Sequence, residues 1–260
     1  MSAPAAPRYN VLGVGVSALT LAEARDRVLE GKGSARRGYV CVTGVHGVME
    51  SQDDPALRRI HNEAFLVTPD GMPLVWLGPA GVERVYGPDL MLAVCDAGRA
   101  RGTRHYFYGG APGVAEELRD RLCARFPGLE VAGTFTPPFR PLNDAELHAL
   151  QANVSRTRPD VMWIGLGTPK QERFMAEHWR TLDAGLLIGV GAAFDFHTGR
   201  VRQAPRWVQR SGLEWLFRMF TEPRRLGPRY LRHNPRFLAR ALWQRLGLRK
   251  YPLVLPPGSA

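Results

Sequence analysis

An aspartate in a Pro- and Gly-containing segment is the strongest candidate for chemistry in this sequence. Asp70 lies in residues 68–73 (TPDGMP), between two apolar stretches. Asp-Gly is common in turns and Pro73 suits the start of a helix, so a turn alone explains the segment. A carboxylate at the end of a strand could instead act as a general base, with Gly71 letting a substrate approach the backbone. Both interpretations stay open at this point.

A second candidate segment, residues 165–172 (GLGTPKQE), also follows an apolar stretch. Thr168 and Gln171 fit a capping box with Pro169 at the first helical position, which is a sufficient structural role. The start of a helix with Lys170 beside it would equally suit an anionic phosphate or the polar edge of a base. The pattern does not decide between a cap and a ligand site.

Two further glycine-rich segments follow apolar stretches, residues 109–113 (GGAPG) and 189–195 (GVGAAFD). Neither has the full spacing of a dinucleotide fingerprint or a P-loop, and glycine is ordinary in such turns. Taken together, the glycine-containing strand ends favour a nucleotide cleft that includes Gly109 and Gly110. Asp195 could cap a helix or bind substrate, and we favour substrate.

Several kinds of site are disfavoured by missing motifs. The sequence has no Asp-x-Asp, no HExxH, no Cys or His pair at ligand spacing and no GxSxG elbow. We therefore expect no dedicated metal site, no cofactor and no serine-hydrolase chemistry. His46 is more often a structural than a catalytic histidine, but its place after a predicted strand keeps it as a candidate.

The elements that carry these segments alternate between strand and helix. Continuous apolar runs predict strands at residues 39–43, 65–68, 104–108, 129–132, 161–166 and 186–190, with helical patterns between them. This pattern predicts the α/β class, with a Rossmann-like parallel sheet covered by helices on both faces. In such sheets, ligands bind beyond the carboxyl ends of the strands, where all the candidate segments lie.

The C-terminal residues have a different pattern, which is helical, basic and aromatic. Residues 200–250 contain fourteen Lys or Arg and two Glu, a formal charge of +12 against +11 for the whole chain. Amphipathic helices are predicted at 204–220 and after Pro235, with a stop at Gly247. We predict an α/β catalytic body at 1–199, with a donor and acceptor cleft between two βα halves. Residues 200–260 would be an all-helical appendage that docks on an anionic membrane and covers the active site.

Composition also indicates the cellular compartment. Three cysteines, Cys41, Cys95 and Cys123, lie in apolar runs and predict buried thiols in a reducing compartment. The longest apolar run, residues 184–194, is about half of what a bilayer span needs. The predicted location is therefore the cytoplasm, with peripheral attachment to the inner face of the cell membrane.

Several blocks resemble the WecG/TagA/CpsF glycosyltransferase family. They run in the family's order from about residue 10 to residue 245, at 68–76, 86–90, 165–172, 189–196, 212–218, 222–225 and 234–237. The resemblance implies an inverting, metal-independent transferase with two substrates, a UDP-sugar donor and a polyprenyl-diphosphate-linked saccharide acceptor. The hexosyl residue would be N-acetylmannosamine, its uronic acid or glucose, and the product a bacterial cell-surface polysaccharide.

The resemblance also assigns roles to individual residues. Asp70 matches the proposed base, Gln171 lies at the nucleotide site, and Arg218 and Arg225 match arginines that close over the diphosphate. A further basic position falls on Pro228, with Arg229 beside it. The strand end at 42–46 lacks the Asn that many relatives carry there, and Thr43 or His46 could substitute for it.

Two other function classes compete with this interpretation. Arginines interleaved with aromatic residues also fit a nucleic-acid-binding protein or an RNA-modifying enzyme with a Rossmann-like body. Such a protein has no need for the Asp70 segment, so we expect no nucleic-acid partner. A dinucleotide-dependent oxidoreductase is disfavoured because the full glycine fingerprint is missing. The apolar helix faces could also pair between subunits, which leaves a homo-oligomer open.

Overall fold

The structure is a computed structural model that describes residues 6–30 and 37–256. Its strands are β1 (Arg8–Val11), β2 (Val14–Ser17), β3 (Gly38–Thr43), β4 (Leu66–Pro69), β5 (Arg104–Gly109), β6 (Glu130–Phe135), β7 (Val161–Gly165) and β8 (Leu186–Gly189). Its helices are α1 (Leu21–Leu29), α2 (Val45–Asp53), α3 (Pro55–Glu63), α4 (Met72–Leu77), α5 (Gly87–Gly98), α6 (Val114–Arg125), α7 (Asp144–Thr157), α8 (Lys170–His178), α9 (Ala193–His197), α10 (Arg206–Arg210), α11 (Glu214–Thr221) and α12 (Pro223–Arg245), with a short 3₁₀ helix at Arg99–Arg101.

The main sheet confirms the predicted fold class. It is a six-stranded parallel sheet in the order β4-β3-β8-β7-β5-β6, with helices between its strands. All six predicted strands are present, with ends shifted by a few residues. β3, β4 and β8 are buried along their whole length, which explains why their sequences are continuously apolar rather than alternating.

A small hairpin before the main sheet was not predicted. β1 and β2 pair antiparallel, and the turn between them holds Leu12 at φ 52° and Gly13 at φ 83°. Hairpin turns of this kind usually carry Asn-Gly or Asp-Gly, because two residues need positive φ. Leu12 is an unfavourable residue there, so the turn has no sequence signal. The fully buried Leu12 side chain and a hydrogen bond from its N–H to Gln244 Oε1 (2.9 Å) hold this conformation.

The described residues divide into two compact units. Unit 1 combines residues 1–20, 42–86 and 202–260, and unit 2 combines 21–41 and 87–201. The last segment boundary, at Val201 and Arg202, lies near the predicted start of the basic segment. In unit 2, Cys41 and Cys95 are buried as predicted, whereas Cys123 is only half-buried.

The predicted C-terminal helices have different ends in the structure. The predicted helix at 204–220 is interrupted at Gly212, whose φ of 76° belongs to the left-handed region and separates α10 from α11. α12 begins at Pro223 and continues through Pro228 and Pro235, so the prediction of a helix starting after Pro235 was wrong. Proline normally breaks a helix interior, but burial of one face, including Leu226, Phe237 and Ala241, holds α12 together. The predicted stop at Gly247 is confirmed by its φ of 70°.

The glycine that ends β5 gives a test of packing. Gly109 has φ 132°, and a Cβ placed on it would lie 2.7 Å from the backbone of Gly165. We expect Gly109→Ala to lower the free energy of unfolding by about 3 kcal/mol or more, because backbone strain adds to overlap with a neighbouring strand. Chemical denaturation followed by circular dichroism measures this loss.

Gly113 provides the matched control, since its φ is 81° but a Cβ would meet nothing within 4 Å. Gly113→Ala should lower the free energy of unfolding by only about 1–2 kcal/mol, because only the left-handed backbone conformation is unfavourable for alanine there. Equal losses in the two variants would contradict the packing explanation.

Candidate functional site

The loop after β4 holds Asp70 beside the end of β3. The Asp70 N–H donates to the Thr43 carbonyl oxygen (2.9 Å), which ties the two strand ends together. A Cβ placed on Gly44 would lie 3.6 Å from Asp70 Oδ2, so the half-buried carboxylate lies over Gly44. Gly71 follows as the N-cap of α4, with Pro73 one residue into the helix. The segment is therefore a strand-to-helix connection that also places a carboxylate at the sheet edge.

Arg84 fixes the backbone of this loop. Its Nε donates to the Asp70 carbonyl oxygen (2.5 Å), and its guanidinium also forms an ion pair with Glu214 on α11. The same guanidinium lies 4.0 Å from the centre of the Tyr86 ring, and the Tyr86 hydroxyl donates to Glu214 Oε1 (2.9 Å). The side chains of Arg84 and Glu214 are each only 14% exposed, so both charges depend on this pairing.

Electrostatics explain why this buried arginine stays charged. Burial by itself would lower the pKa of Arg84, but the charges of Asp70 and Glu214 outweigh it and raise the pKa above its ordinary value. For Tyr86, burial and then the neighbouring Glu214 charge raise the pKa. At neutral pH the group is therefore a cation beside two carboxylates, with a neutral phenol that donates to one of them.

Sequence analysis missed the roles of Arg84, Tyr86 and Glu214. Tyr86 and Glu214 lie in two of the sequence blocks that carry the family resemblance, and Arg84 is two residues before the first of them. Their types gave no signal, because a buried ion pair between residues 130 positions apart is visible only after folding.

The two candidates after β3 occupy different environments. The Thr43 side chain is buried, and its Cγ2 lies 3.0 Å from a Cβ placed on Gly47. His46 is half-buried on α2, with Nδ1 3.8 Å from Glu50 Oε1 and its ring 5.1 Å from the His233 ring. His46, Glu50 and His233 together could offer three atoms to a metal ion. The expectation of no metal site rested on histidines scattered in the sequence, and it missed this convergence.

The predicted diphosphate-binding arginines share one carboxylate. Glu222 Oε1 accepts from Arg218 Nη2 (3.1 Å), and Glu222 Oε2 forms an ion pair with Arg225. Arg218 is mostly buried, and although burial opposes its charge, Tyr230 and Glu222 raise its pKa above the ordinary value. Arg225 is exposed. Glu222 thus contacts two guanidinium groups, and guanidinium groups also fit diphosphate oxygens.

Arg229 lies one turn further along the same helix. Its guanidinium lies 5.2 Å from the centre of the Tyr230 ring, and no acceptor among the described residues hydrogen-bonds its buried Nε. Pro228, the residue before it in the sequence, is exposed and lies inside α12. A ligand contact by Arg229 stays a prediction.

In unit 2, Gln171 connects two strand ends. Its Oε1 accepts from the N–H of Gly167 (3.2 Å) after β7 and from the N–H of Gly191 (3.0 Å) after β8. Its Nε2 donates to Glu172 Oε1 (3.1 Å), and the side chain is buried. The amide is engaged at both ends, so its evident contribution is to position these two loops.

The predicted capping box at the start of α8 is wrong. Pro169 is the N-cap and no side chain caps the helix, because the Gln171 amide is used by the loops and the Thr168 hydroxyl donates to Glu172 Oε1 (2.9 Å). Burial raises the pKa of Glu172, although the hydrogen bonds from Thr168 and Gln171 act to lower it. No donor among the described residues hydrogen-bonds its Oε2. Lys170, at the first turn of α8, is exposed.

The remaining candidates of unit 2 have structural explanations of their own. Gly109 contacts the backbone of Gly165, and Gly110, at φ 77°, would place a Cβ 2.8 Å from Val114. The alternative that Asp195 caps a helix is wrong, since Ala192 is the N-cap of α9 without a side-chain hydrogen bond. Substrate contacts by these residues stay predictions.

Comparison with known proteins identifies the family. A model described as "Glycosyl transferase WecG/TagA/CpsF family" matches residues 9–251. The chain belongs to this family. A curated relative from Bacillus spizizenii (strain W23), N-acetylglucosaminyldiphosphoundecaprenol N-acetyl-beta-D-mannosaminyltransferase, is 29% identical over 180 residues, which is 68% of each chain. The family match confirms the predicted resemblance and makes the chain a glycosyltransferase.

Unit 1 of this WecG/TagA/CpsF family member leaves many apolar side chains exposed. In the described part of the chain, no helix is long and apolar enough to cross a membrane. The C-terminal helices and the residues after them instead leave large apolar side chains in solvent, namely Trp207, Leu213, Phe220, Leu231, Leu238, Leu242, Trp243, Leu246 and Leu248. Exposure on this scale is typical of an interaction surface.

The Arg84–Glu214 pair gives a prediction for stability. Glu214→Gln keeps the size of the side chain but leaves Arg84 as a buried cation without that carboxylate. We expect a loss of about 2–4 kcal/mol in the free energy of unfolding, measured by denaturant titration. Glu63→Gln, an exposed carboxylate of the same unit, should change it by less than about 0.5 kcal/mol. A loss no larger than the control's would contradict the role assigned to the pair.

Proposed function

We propose that this protein transfers a hexosyl residue from a UDP-sugar to an undecaprenyl-diphosphate-linked saccharide, with inversion and without a catalytic metal. The observation that carries the proposal is Asp70, a carboxylate at the end of a sheet strand whose backbone is held by Thr43 and Arg84. A rigid loop matters because a base must lie within hydrogen-bond reach of the hydroxyl that it deprotonates.

The proposed reaction is a single displacement. The acceptor hydroxyl oxygen forms a bond to the anomeric carbon while the bond from that carbon to the UDP phosphate oxygen breaks, which inverts the anomeric centre. The hydroxyl proton passes to the Asp70 carboxylate, and UDP leaves with the bonding electron pair. Proton removal by a positioned carboxylate contributes roughly 10²–10⁴ in rate.

Arginines would stabilise the charge on the departing UDP. The sequence lacks the Asp-x-Asp motif with which many glycosyltransferases hold a divalent ion, so fixed cations are the alternative. Arg218 and Arg225 already lie around the Glu222 carboxylate, and guanidinium groups fit diphosphate oxygens well. Arg229, on α12 one turn after Arg225, would add a third guanidinium.

The loops of unit 2 would bind the nucleotide. Gln171 orders the Gly167 and Gly191 backbones, and Thr168, Lys170 and Asp195 lie in or beside these loops. In this proposal Gln171 acts by positioning the loops, while Gly109 and Gly110 keep the neighbouring strand end free of side chains. Lys170 is the exposed cation of the group.

The relative's name favours one donor and one acceptor. It names an N-acetylmannosaminyl group as the sugar moved and N-acetylglucosaminyl-diphosphoundecaprenol as the acceptor. We propose N-acetylmannosamine first, with its uronic acid and glucose as the other sugars to test. Such an acceptor lies in a membrane, so the exposed apolar side chains and the basic C-terminal segment would dock the enzyme on an anionic inner leaflet.

The base assignment is tested by Asp70→Asn. We expect kcat for hexosyl transfer from a UDP-hexose to a short-chain lipid diphosphate acceptor to fall by roughly 10²–10⁴, because the amide cannot take the proton. Product formation is measured by chromatography with a panel of UDP-hexoses, without added Mg²⁺ or Mn²⁺.

Two controls make this result specific. Glu63→Gln removes an exposed carboxylate of the same unit and should leave kcat unchanged. Normal turnover by Asp70→Asn would contradict the proposed mechanism, and so would a requirement of the wild-type enzyme for added Mg²⁺ or Mn²⁺.

Membrane docking is tested by vesicle flotation. Trp207 and Phe220 are 71% and 74% exposed, and the double variant Trp207→Ala, Phe220→Ala should bind vesicles containing anionic lipid about tenfold more weakly, since it loses apolar surface for the bilayer. Binding by the wild-type protein should fall at high salt and on purely zwitterionic vesicles.

Phe139→Ala is the matched control, because Phe139 is 88% exposed but belongs to unit 2. It should float like the wild-type protein. If all three proteins float equally, or if flotation does not depend on lipid charge, the C-terminal residues are not the docking surface.

A further inference from the structure

A cluster of three potential metal ligands joins α2 to α12 in unit 1. His46 and Glu50 lie one turn apart on α2, and His233 comes from α12. Glu50 Oε1 lies 3.2 Å from His233 Nε2 and 3.8 Å from His46 Nδ1, and the three ligand atoms all lie within 4.8 Å of one another. Two imidazoles thus converge on one carboxylate oxygen.

The chemistry of the three donors suits a borderline transition metal. Imidazole nitrogen with carboxylate oxygen is a common donor set for Zn²⁺, which prefers four ligands at about 2.0–2.2 Å. Tetrahedral ligands at that distance are about 3.4 Å apart, close to the two measured separations from Glu50. The wider gap between the histidines closes by side-chain rotation about an ion.

Burial gives the cluster a closed side and an open side. The His233 side chain is only 4% exposed, whereas those of His46 and Glu50 are 19% and 30% exposed. An ion could therefore enter from solvent and keep a water as its fourth ligand.

A second contact between α2 and α12 is an ordinary ion pair, which serves as a comparison. One turn along α2, Asp53 accepts two hydrogen bonds from the guanidinium of Arg236 (2.9 and 2.6 Å), a complete charge pair. Glu50 instead lies within 3.8 Å of two histidine nitrogens and forms no ion pair with Arg236, although its charge acts on that arginine. A carboxylate between two imidazoles is the arrangement that a cation completes.

We propose that His46, Glu50 and His233 bind one divalent transition-metal ion, with Zn²⁺ as the expected occupant. The ion would fasten α12, which carries Arg225 and Arg229, to α2, which begins directly after Gly44 beside Asp70. Its role would be to hold these elements together. The proposed metal-independent step concerns the charge on the leaving UDP, whereas this ion would only hold helices together, so the two proposals are tested separately.

The test measures metal binding in the full-length protein, freed of any purification tag and stripped with EDTA. Titration with ZnCl₂ should give one tightly bound equivalent by elemental analysis and a rise in the thermal midpoint. Co²⁺ in place of Zn²⁺ should give the visible absorption of a four-coordinate site. Glu50→Gln and His233→Gln should each weaken affinity at least about 100-fold and abolish that spectrum.

His148→Gln is the matched control, since His148 is an exposed histidine of α7. It should bind one equivalent like the wild-type protein. The proposal is overturned if wild-type protein binds less than one equivalent, or if folded Glu50→Gln binds Zn²⁺ as tightly as the wild-type protein does. Loss of binding in His148→Gln would also overturn it, because it would place the ion elsewhere. Hexosyl transfer is not the readout, so failure here leaves the proposed function intact.

Discussion

The buried pairing of Arg84 with Glu214 is the constraint on which the candidate site depends. Arg84 forms an ion pair with Glu214 on α11 and donates a hydrogen bond to the Asp70 carbonyl oxygen. Arg84 therefore links the loop after β4 to α11. Neither charge is stable alone at 14% exposure, because an unpaired buried ion costs several kcal/mol. The position of the proposed base is therefore tied to a helix more than a hundred residues away in the sequence.

The two acids of the basic segment have parallel roles. Residues 200–250 contain only Glu214 and Glu222 as carboxylates, and the structure places each against arginine, Glu214 against Arg84 and Glu222 against Arg218 and Arg225. A segment of charge +12 would otherwise repel itself where its cations cluster. Glu222 also marks where an anion is favourable, and a diphosphate with more oxygens would compete for the same guanidinium groups.

Several residues chosen as ligand contacts turn out to hold the site's shape. Gln171 fastens two loops, Gly109 admits the backbone of Gly165, and Thr43 is buried with its carbonyl on the Asp70 N–H. Sequence patterns select such positions because a rigid loop and a binding loop need the same residue types. The structure shows the first role directly, and ligand contacts by the same residues stay predictions.

The sequence alone determined the parallel α/β sheet, its strand-end loops, the basic helical C-terminus and the family. The first three follow from local hydrophobic runs, glycine spacing and charge, which act within a few residues, and the family follows from the resemblance of whole sequence blocks. Tertiary structure decided the rest. Burial of one face stabilises α12 despite two interior prolines, and the hairpin turn forms with Leu12 where Asn or Asp is usual. The contacts Arg84–Glu214 and His46–Glu50–His233 join residues far apart in the chain. Such contacts depend on which side chains folding brings into one low-dielectric place, and no short window of sequence contains that information.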